Sequence, residues 1–263
     1  MKYIIHLIIS ILLTLLTQIG GLLYLSAVWF NRNKSENKIK QTALWFAVLY
    51  LTATFVIVPV AAPLFGREKV QENDKISAHT FITKLFNRNY VRPELNLVLQ
   101  QTATDFTKMY PNLKLIYLDA NFPFFNGFPL LPHLSHNDGK KIDLAFVYKD
   151  RTGKLTNQKP SISGYGKYVQ PLKTELNQTK FCKQKGYWQY DYSKYFTFGS
   201  IHPDLQLAKK PTQKLIEIIS KQKGIKKIFI EPNLKNRLHL HSSKIRFHGC
   251  RAVRHDDHIH IQL

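Results

Sequence analysis

The chain ends in His255-Asp256-Asp257-His258-Ile259-His260-Ile261-Gln262-Leu263, and this stretch has the clearest strand pattern in the sequence. From residue 258 onward, polar and apolar side chains alternate strictly along the chain. One face holds Ile259, Ile261 and Leu263, and the other holds His258, His260 and Gln262. A period of two residues is typical of a half-buried β-strand. The strand is therefore predicted to pack its isoleucines on a core and to project two imidazoles into one cavity.

A second stretch, residues 132–143 (PHLSHNDGKKID), complements the first. Gly139 permits a tight turn, and residues 142–148 (IDLAFVY) have strong strand composition. A loop histidine, His136, and a carboxylate at the head of a strand, Asp143, are then expected to face the C-terminal imidazoles. Zinc favours imidazole nitrogen and carboxylate oxygen, and a catalytic site keeps a fourth position for water. We therefore predict that His136, Asp143 and His260 bind one zinc ion and that His258 acts on a water molecule beside it.

These two stretches carry a family resemblance that covers roughly residues 112–263. The pattern Ser135-x-His136-x-x-Gly139-x-x-x-Asp143, followed late by His258-x-His260, resembles the LAS group of zinc peptidases. The most similar members are the penicillin-insensitive murein endopeptidases. Their histidine- and serine-containing start is matched by His133, Ser135 and His136, and their three closing histidines by His255, His258 and His260. The resemblance implies catalytic roles for His258 and His255 and substrate-binding roles for His133 and Ser135.

The resemblance also implies a fold and an activity. The fold is an α+β zinc-peptidase domain whose antiparallel sheet carries the ligands, with helices packed against the sheet. The activity is hydrolysis of amide bonds in peptidoglycan peptide cross-links, with zinc as cofactor. Two alternatives remain open: a D-alanyl-D-alanine carboxypeptidase or dipeptidase, and a non-catalytic zinc-containing module that binds cell wall or a partner protein. His239 and His241 form a rival His-x-His pair, but that pair lacks alternating apolar partners.

The first part of the chain has the composition of a membrane segment. Residues 3–30 and about 42–65 are almost wholly apolar, and each run exceeds the roughly 20 residues needed to cross a bilayer. Two transmembrane helices are predicted, so that residues 1–66 anchor a peptidase domain at 67–263 to membrane lipid. A cleaved signal peptide is the alternative for the first run, but the run is long for that and a second follows at once.

The connecting loop (NRNKSENKIKQ) carries four basic residues in eleven and is predicted to be cytoplasmic. The peptidase domain then faces the periplasm or exterior of a bacterial cytoplasmic membrane. The chain has 38 Lys and Arg against 17 Asp and Glu, a formal charge of +21, which attracts polyanions. The membrane segments favour lipid headgroups and cell-wall polymers, so no nucleic acid partner is expected. An outer location permits a disulfide between Cys182 and Cys250, although the sequence does not show that they meet.

Local patterns outside these stretches predict further elements. Helices are predicted at 76–90, 93–109 and 211–223, and strands at 113–118 and 227–231. The tyrosine-rich residues 187–195 (YWQYDYSKY) are predicted to form a hairpin.

Overall fold

The computed structural model describes residues 2–33 and 37–263 as a mixed α+β protein. The described α-helices are α1 (Lys2–Thr17), α2 (Gly20–Phe30), α3 (Lys38–Thr52), α4 (Val58–Ala61), α5 (Phe81–Leu85), α6 (Pro93–Met109), α7 (Gln178–Gln184), α8 (Lys209–Lys221) and α9 (Pro232–Arg237). The described strands are β1 (Glu68–Lys69), β2 (Ile76–Ala78), β3 (Tyr90–Val91), β4 (Leu115–Tyr117), β5 (Lys141–Ala145), β6 (Tyr148–Lys149), β7 (Leu155–Thr156), β8 (Gln206–Leu207), β9 (Lys227–Phe229), β10 (Ile245–Arg246) and β11 (His258–Gln262).

The chain forms two compact units. The first comprises residues 1–70, 81–93 and 120–139, and the second comprises residues 71–80, 94–119 and 140–263. The first unit contains the apolar helices and a two-stranded pairing of β1 with β3. The second contains the remaining strands, including the C-terminal strand β11.

The first apolar run does not form one continuous span, so the prediction of two transmembrane helices is wrong in this respect. Helix α1 ends at Thr17, Gln18 has a left-handed φ of 68°, and α2 begins at Gly20. The two helices lie side by side, with His6 Nδ1 and Tyr24 Oη 2.7 Å apart. At 1.5 Å per residue they measure about 24 and 16 Å, which is shorter than a hydrocarbon core of about 30 Å.

The second apolar run forms a helical stretch from Lys38 to Phe65, which is 28 residues long. Among the described residues, this is the one helix long and apolar enough to cross a membrane, judged by length and composition. A π-helical segment at Ala53–Ile57 and a 3₁₀ turn at Ala62–Phe65 interrupt its α-helical geometry. The π segment lies just before Pro59, whose ring nitrogen cannot donate to the preceding turn. The predicted basic loop includes residues 34–36, which lie outside the described residues.

A six-stranded sheet in the second unit has the strand order β10-β9-β11-β5-β4-β2. The four central strands pair antiparallel, as predicted, whereas the outer pairs β10–β9 and β4–β2 are parallel. Ile259 and Ile261 are completely buried, as predicted, but His258 and His260 on the opposite face are buried as well, so β11 is not a half-buried strand. The register places His260 of β11 directly opposite Asp143 of β5. Side chains of directly paired residues share one face of a sheet, so this register brings the two groups together.

Several local predictions are confirmed and two are wrong. Helix α6 has the predicted bounds of 93–109, and β4 and β9 lie within their predicted ranges. Residues 76–90 contain only the five-residue helix α5, because β2 and β3 occupy the two ends of that range. The tyrosine-rich segment is a 3₁₀ helix, Trp188–Phe196, and not a hairpin. Cys182 and Cys250 form a disulfide, which settles the pairing that the sequence left open.

Candidate metal centre

Asp143 and His260 meet at the centre of the six-stranded sheet. Both side chains are buried, and Asp143 Oδ1 lies 2.8 Å from His260 Nδ1. The second carboxylate oxygen of Asp143 accepts a hydrogen bond of 2.8 Å from the Tyr165 hydroxyl. The Asp143 backbone N–H donates to the Asp119 carbonyl, which fixes the start of β5. One carboxylate and one imidazole are therefore held in place by strand register and by hydrogen bonds.

His136 lies on the loop between β4 and β5, and its ring orientation is also fixed. Its Nδ1 lies 2.7 Å from the carbonyl oxygen of Ala120. A carbonyl only accepts hydrogen bonds, so Nδ1 carries the proton and Nε2 keeps the lone pair that a metal ligand needs. Arg67 supports the same loop, because its guanidinium donates to the Phe122 carbonyl and to Asn126 Oδ1.

His136, Asp143 and His260 form a buried group that is able to bind a metal ion. Each offers one ligand atom, and these three atoms all lie within 4.8 Å of one another. The donor set is two imidazole nitrogens and one carboxylate oxygen, which is a set that zinc accepts in catalytic sites. The geometry therefore agrees with the predicted metal ligands.

His258 lies next to this group and is held by two carboxylates. Its Nδ1 is 2.5 Å from Asp257 Oδ1, and its Nε2 is 3.7 Å from Asp143 Oδ1. Burial alone would lower the pKa of the imidazole, but the charges of Asp143 and Asp257 outweigh burial and raise the pKa to about 9. Asp257 is fixed in turn, because its other oxygen accepts a 2.5 Å hydrogen bond from the backbone of Gly166.

His255 is the second predicted catalytic histidine, and it lies in the same cluster. Its ring centroid is 4.9 Å from that of His258 and 5.7 Å from that of His260. Burial, reinforced by the charges of neighbouring imidazoles, lowers its pKa well below 6.5. His255 is therefore neutral at pH 7, whereas the pKa of His258 is raised. Environments that separate the pKa values of two neighbouring groups in this way are typical of acid and base pairs.

The two predicted substrate-binding residues, His133 and Ser135, differ in their exposure to solvent. The ring of His133 is buried, with its centroid 5.6 Å from that of His136, whereas Ser135 is exposed. The rival pair His239 and His241 is exposed. Cys250 is bonded to Cys182, so its sulfur is not a thiolate ligand.

Sequence reasoning missed the residues that support the cluster. Asp257 and Tyr165 carry no motif of their own, and no site role was predicted for Glu231. The Glu231 carboxylate accepts a hydrogen bond from the backbone N–H of His255 at 3.0 Å and another from the Tyr190 hydroxyl. Only Asp257 had a usable signal, because it immediately precedes His258. Tyr165 and Glu231 come from distant parts of the chain and are identified only by the fold.

No protein-family model matches the chain, and no curated protein matches it at a significant level. The function therefore has to be inferred from the residues and geometry of the site.

Proposed function

We propose that the chain is a membrane-anchored zinc metallopeptidase that hydrolyses amide bonds in peptidoglycan peptide cross-links. The observation that carries the proposal is the buried His136–Asp143–His260 group with His258 and its carboxylate partner beside it. Three protein ligands leave a fourth coordination position for water or substrate, as catalytic zinc sites require. The resemblance of the motifs to murein endopeptidases supplies the substrate class.

In the proposed reaction, zinc and the side chains of the protein have different roles. A zinc ion, when bound, polarises the scissile carbonyl and lowers the pKa of a water molecule toward about 7. His258 holds a proton at Nε2, on the side of Asp143, while Asp257 fixes the ring through Nδ1. A cation bound by Asp143 would draw on the carboxylate charge that raises the pKa of His258, so that pKa would fall from its raised value, while Asp257 would still favour the protonated ring.

His255 and Tyr165 complete the assignment of roles. His255 is neutral and adjacent to His258, so it is placed to accept or return a proton during departure of the amine. Tyr165 positions Asp143 through its hydroxyl hydrogen bond, and its ring lies 5.1 Å from that of His258. Burial of the whole cluster limits access of bulk water. His136 and His260 bind metal only when unprotonated, so zinc affinity should decrease in mild acid.

The proposed location is a bacterial cytoplasmic membrane, with the catalytic residues in the periplasm or at the cell exterior. The helical stretch Lys38–Phe65 supports the membrane attachment. The Cys182–Cys250 disulfide supports an oxidising compartment, because disulfides are rare in the cytosol. Peptidoglycan lies in that same compartment, so substrate and catalytic residues would meet there.

Digestion of purified muropeptides by the detergent-solubilised, zinc-loaded full-length chain tests the proposal. Mass spectrometry should show cross-linked dimers converted to monomers. Release of a single terminal alanine would instead indicate a carboxypeptidase, and binding to sacculi without released peptide would indicate a non-catalytic module. The His258→Ala variant should keep its zinc and lose about 10²–10⁴-fold in turnover, which is the usual contribution of one general acid–base group. Normal hydrolysis by this variant would contradict the assigned role.

A further inference from the structure

The second unit contains an open cleft of about 710 Å³ that the proposed chemistry does not use. Its charged lining residues are four cations, Lys180, Lys183, Lys194 and Arg254, and one carboxylate, Asp191. Amide and hydroxyl side chains make up most of the remaining lining. A strongly basic and polar lining favours an anionic ligand with many hydrogen-bonding groups.

The charges of the cleft are not balanced within it. The ammonium groups of Lys183 and Lys194 lie 2.6 and 3.0 Å from the same oxygen of Asp191, Oδ2. Burial would raise the pKa of Asp191, but its two lysine partners outweigh burial and lower it, so Asp191 is ionised at neutral pH. One carboxylate then faces two ammonium groups, and Lys180 adds a third. The Lys183 and Lys194 side chains are 40% and 38% exposed, so a ligand in the cleft can reach them.

Arg254 connects the wall of the cleft to the segment that carries His258. Its guanidinium carbon lies 3.8 Å from the centroid of the Tyr168 ring, and its Nε donates to Asp256 Oδ1 at 2.7 Å. The Asp256 carbonyl accepts a 2.7 Å hydrogen bond from the Val169 backbone. Residues 168–169 and 254–256 therefore run alongside each other, directly before the strand that begins at His258. A ligand in the cleft would lie against this paired segment.

We propose that this cleft binds the carboxylate groups of an acidic peptide and thereby holds the peptide part of the substrate. The continuity of the cleft wall with the His258 segment favours a substrate segment over a lipid headgroup. Lys and Arg recognise carboxylates by charge-assisted hydrogen bonds, and the amide groups of the lining suit a peptide backbone. The identity of the peptide as substrate rests on the proposed function, whereas the binding itself is a separate property that can be measured without turnover.

Fluorescence anisotropy of a labelled tetra-glutamate peptide, with the detergent-solubilised full-length chain at low salt, tests the proposal. The wild-type chain should bind this peptide and should not bind the matched tetra-glutamine peptide. The triple variant Lys180→Gln/Lys183→Gln/Lys194→Gln should bind at least about tenfold more weakly, because three charge pairs with the ligand are lost. The control Lys210→Gln/Lys221→Gln/Lys223→Gln removes the same charge from exposed lysines outside the cleft and should change affinity by less than about twofold.

Two results would overturn the proposal. One is equal affinity of the cleft and control variants for the tetra-glutamate peptide. The other is displacement of the peptide by inorganic phosphate at a lower concentration than by glutarate, which would assign the cleft to a phosphate-bearing ligand. The single variant Lys180→Gln leaves both lysine pairs of Asp191 intact. Weaker binding of the tetra-glutamate peptide by this variant would therefore reflect a lost contact with the ligand and not unfolding of the chain. Binding with no muropeptide hydrolysis would uphold the cleft and contradict only the proposed function.

Discussion

The protonation of His258 is set by its neighbours more than by the imidazole itself. Asp143 lies on the side of Nε2 and Asp257 on the side of Nδ1, and together they outweigh the effect of burial on the pKa. Asp143 has a second role as a candidate metal ligand, so metal binding and the pKa of His258 are coupled. Asp257 has no such second role, so its combined effect on the charge and orientation of His258 can be tested without removing a candidate metal ligand.

The Asp257→Asn variant should bind zinc normally and lose about 100-fold in kcat/KM, because the neutral amide no longer fixes the charged form of His258. Steady-state kinetics with a muropeptide substrate, together with metal analysis, check this expectation. Asp204→Asn removes a carboxylate of the exposed Arg151 pair and serves as the matched control. Unchanged kcat/KM in Asp257→Asn would show that the hydrogen bond to His258 does not contribute to catalysis.

Lys159, which lies outside the candidate metal centre, is expected to make the stability of the fold depend on pH. Its side chain is buried, its Nζ donates to the Phe146 carbonyl at 3.1 Å, and burial lowers its pKa to about 7. The unfolded chain has the ordinary lysine pKa of about 10.4. The folded state therefore binds the proton less tightly. The contribution of Lys159 to the free energy of unfolding is largest above about pH 10.4. It declines by up to about 1.4 kcal/mol per pH unit as the pH falls, and none of it remains below about pH 7.

The Lys159→Met variant should remove this part of the pH dependence. The midpoint of thermal unfolding, followed by tryptophan fluorescence, should exceed the wild-type midpoint in the variant most strongly below pH 7. This difference between the two proteins should shrink as the pH rises from 7 to 9. Parallel pH profiles for the two proteins would mean that Lys159 is not the group responsible.

At the scale of elements, the two strands that carry the candidate ligands were the most predictable parts. Strict alternation predicted β11 and its core-facing isoleucines, but it did not predict that the histidine face would be buried too. Composition alone identified β5, and Gly139 identified the turn before it. The register between β5 and β11 could not be predicted, because it depends on pairing between residues more than a hundred positions apart. That register places His260 opposite Asp143 and so determines the geometry of the site.

Composition alone did not predict how the apolar run at residues 3–30 folds. Hydropathy over residues 3–30 does not distinguish one long helix from two short ones. The break depends on Gln18, which has positive φ, and on glycines that permit close helix packing. A Cβ atom added at Gly21 would overlap the Ser10 carbonyl oxygen and the Thr14 hydroxyl. Small residues at such crossings are typical of closely packed apolar helices.

The Gly21→Leu variant should therefore separate α1 from α2. Cysteines introduced at His6 and Tyr24, whose side chains meet at their ends in the wild type, report on the packing by cross-linking with a short bifunctional thiol reagent. The cross-link should form efficiently in the otherwise wild-type chain and decrease severalfold in Gly21→Leu. Leu22→Ala changes the exposed neighbouring position and should leave the cross-link intact. Efficient cross-linking in Gly21→Leu would contradict the packing of the two helices.

At the scale of the whole molecule, the Cys182–Cys250 disulfide joins α7 to the segment before β11 across 68 residues. A cross-link that closes a loop of this length restricts the unfolded chain, with typical stabilisation of about 2–4 kcal/mol. The Cys182→Ser/Cys250→Ser variant should unfold several degrees below the wild type under oxidising conditions. A reductant should lower the wild-type midpoint toward that of the variant. Equal midpoints in oxidising buffer would show that the disulfide does not stabilise the fold.

Metal binding at the proposed site requires that ligands from the middle and from the end of the chain meet around one ion. The most direct test is the number of zinc ions per chain, measured by elemental analysis after loading and exhaustive removal of free metal. We predict one zinc in the wild type and in His258→Ala, and almost none in His136→Ala, Asp143→Ala or His260→Ala. A wild-type chain that retains no zinc, or a His260→Ala chain that retains a full equivalent, would contradict the account.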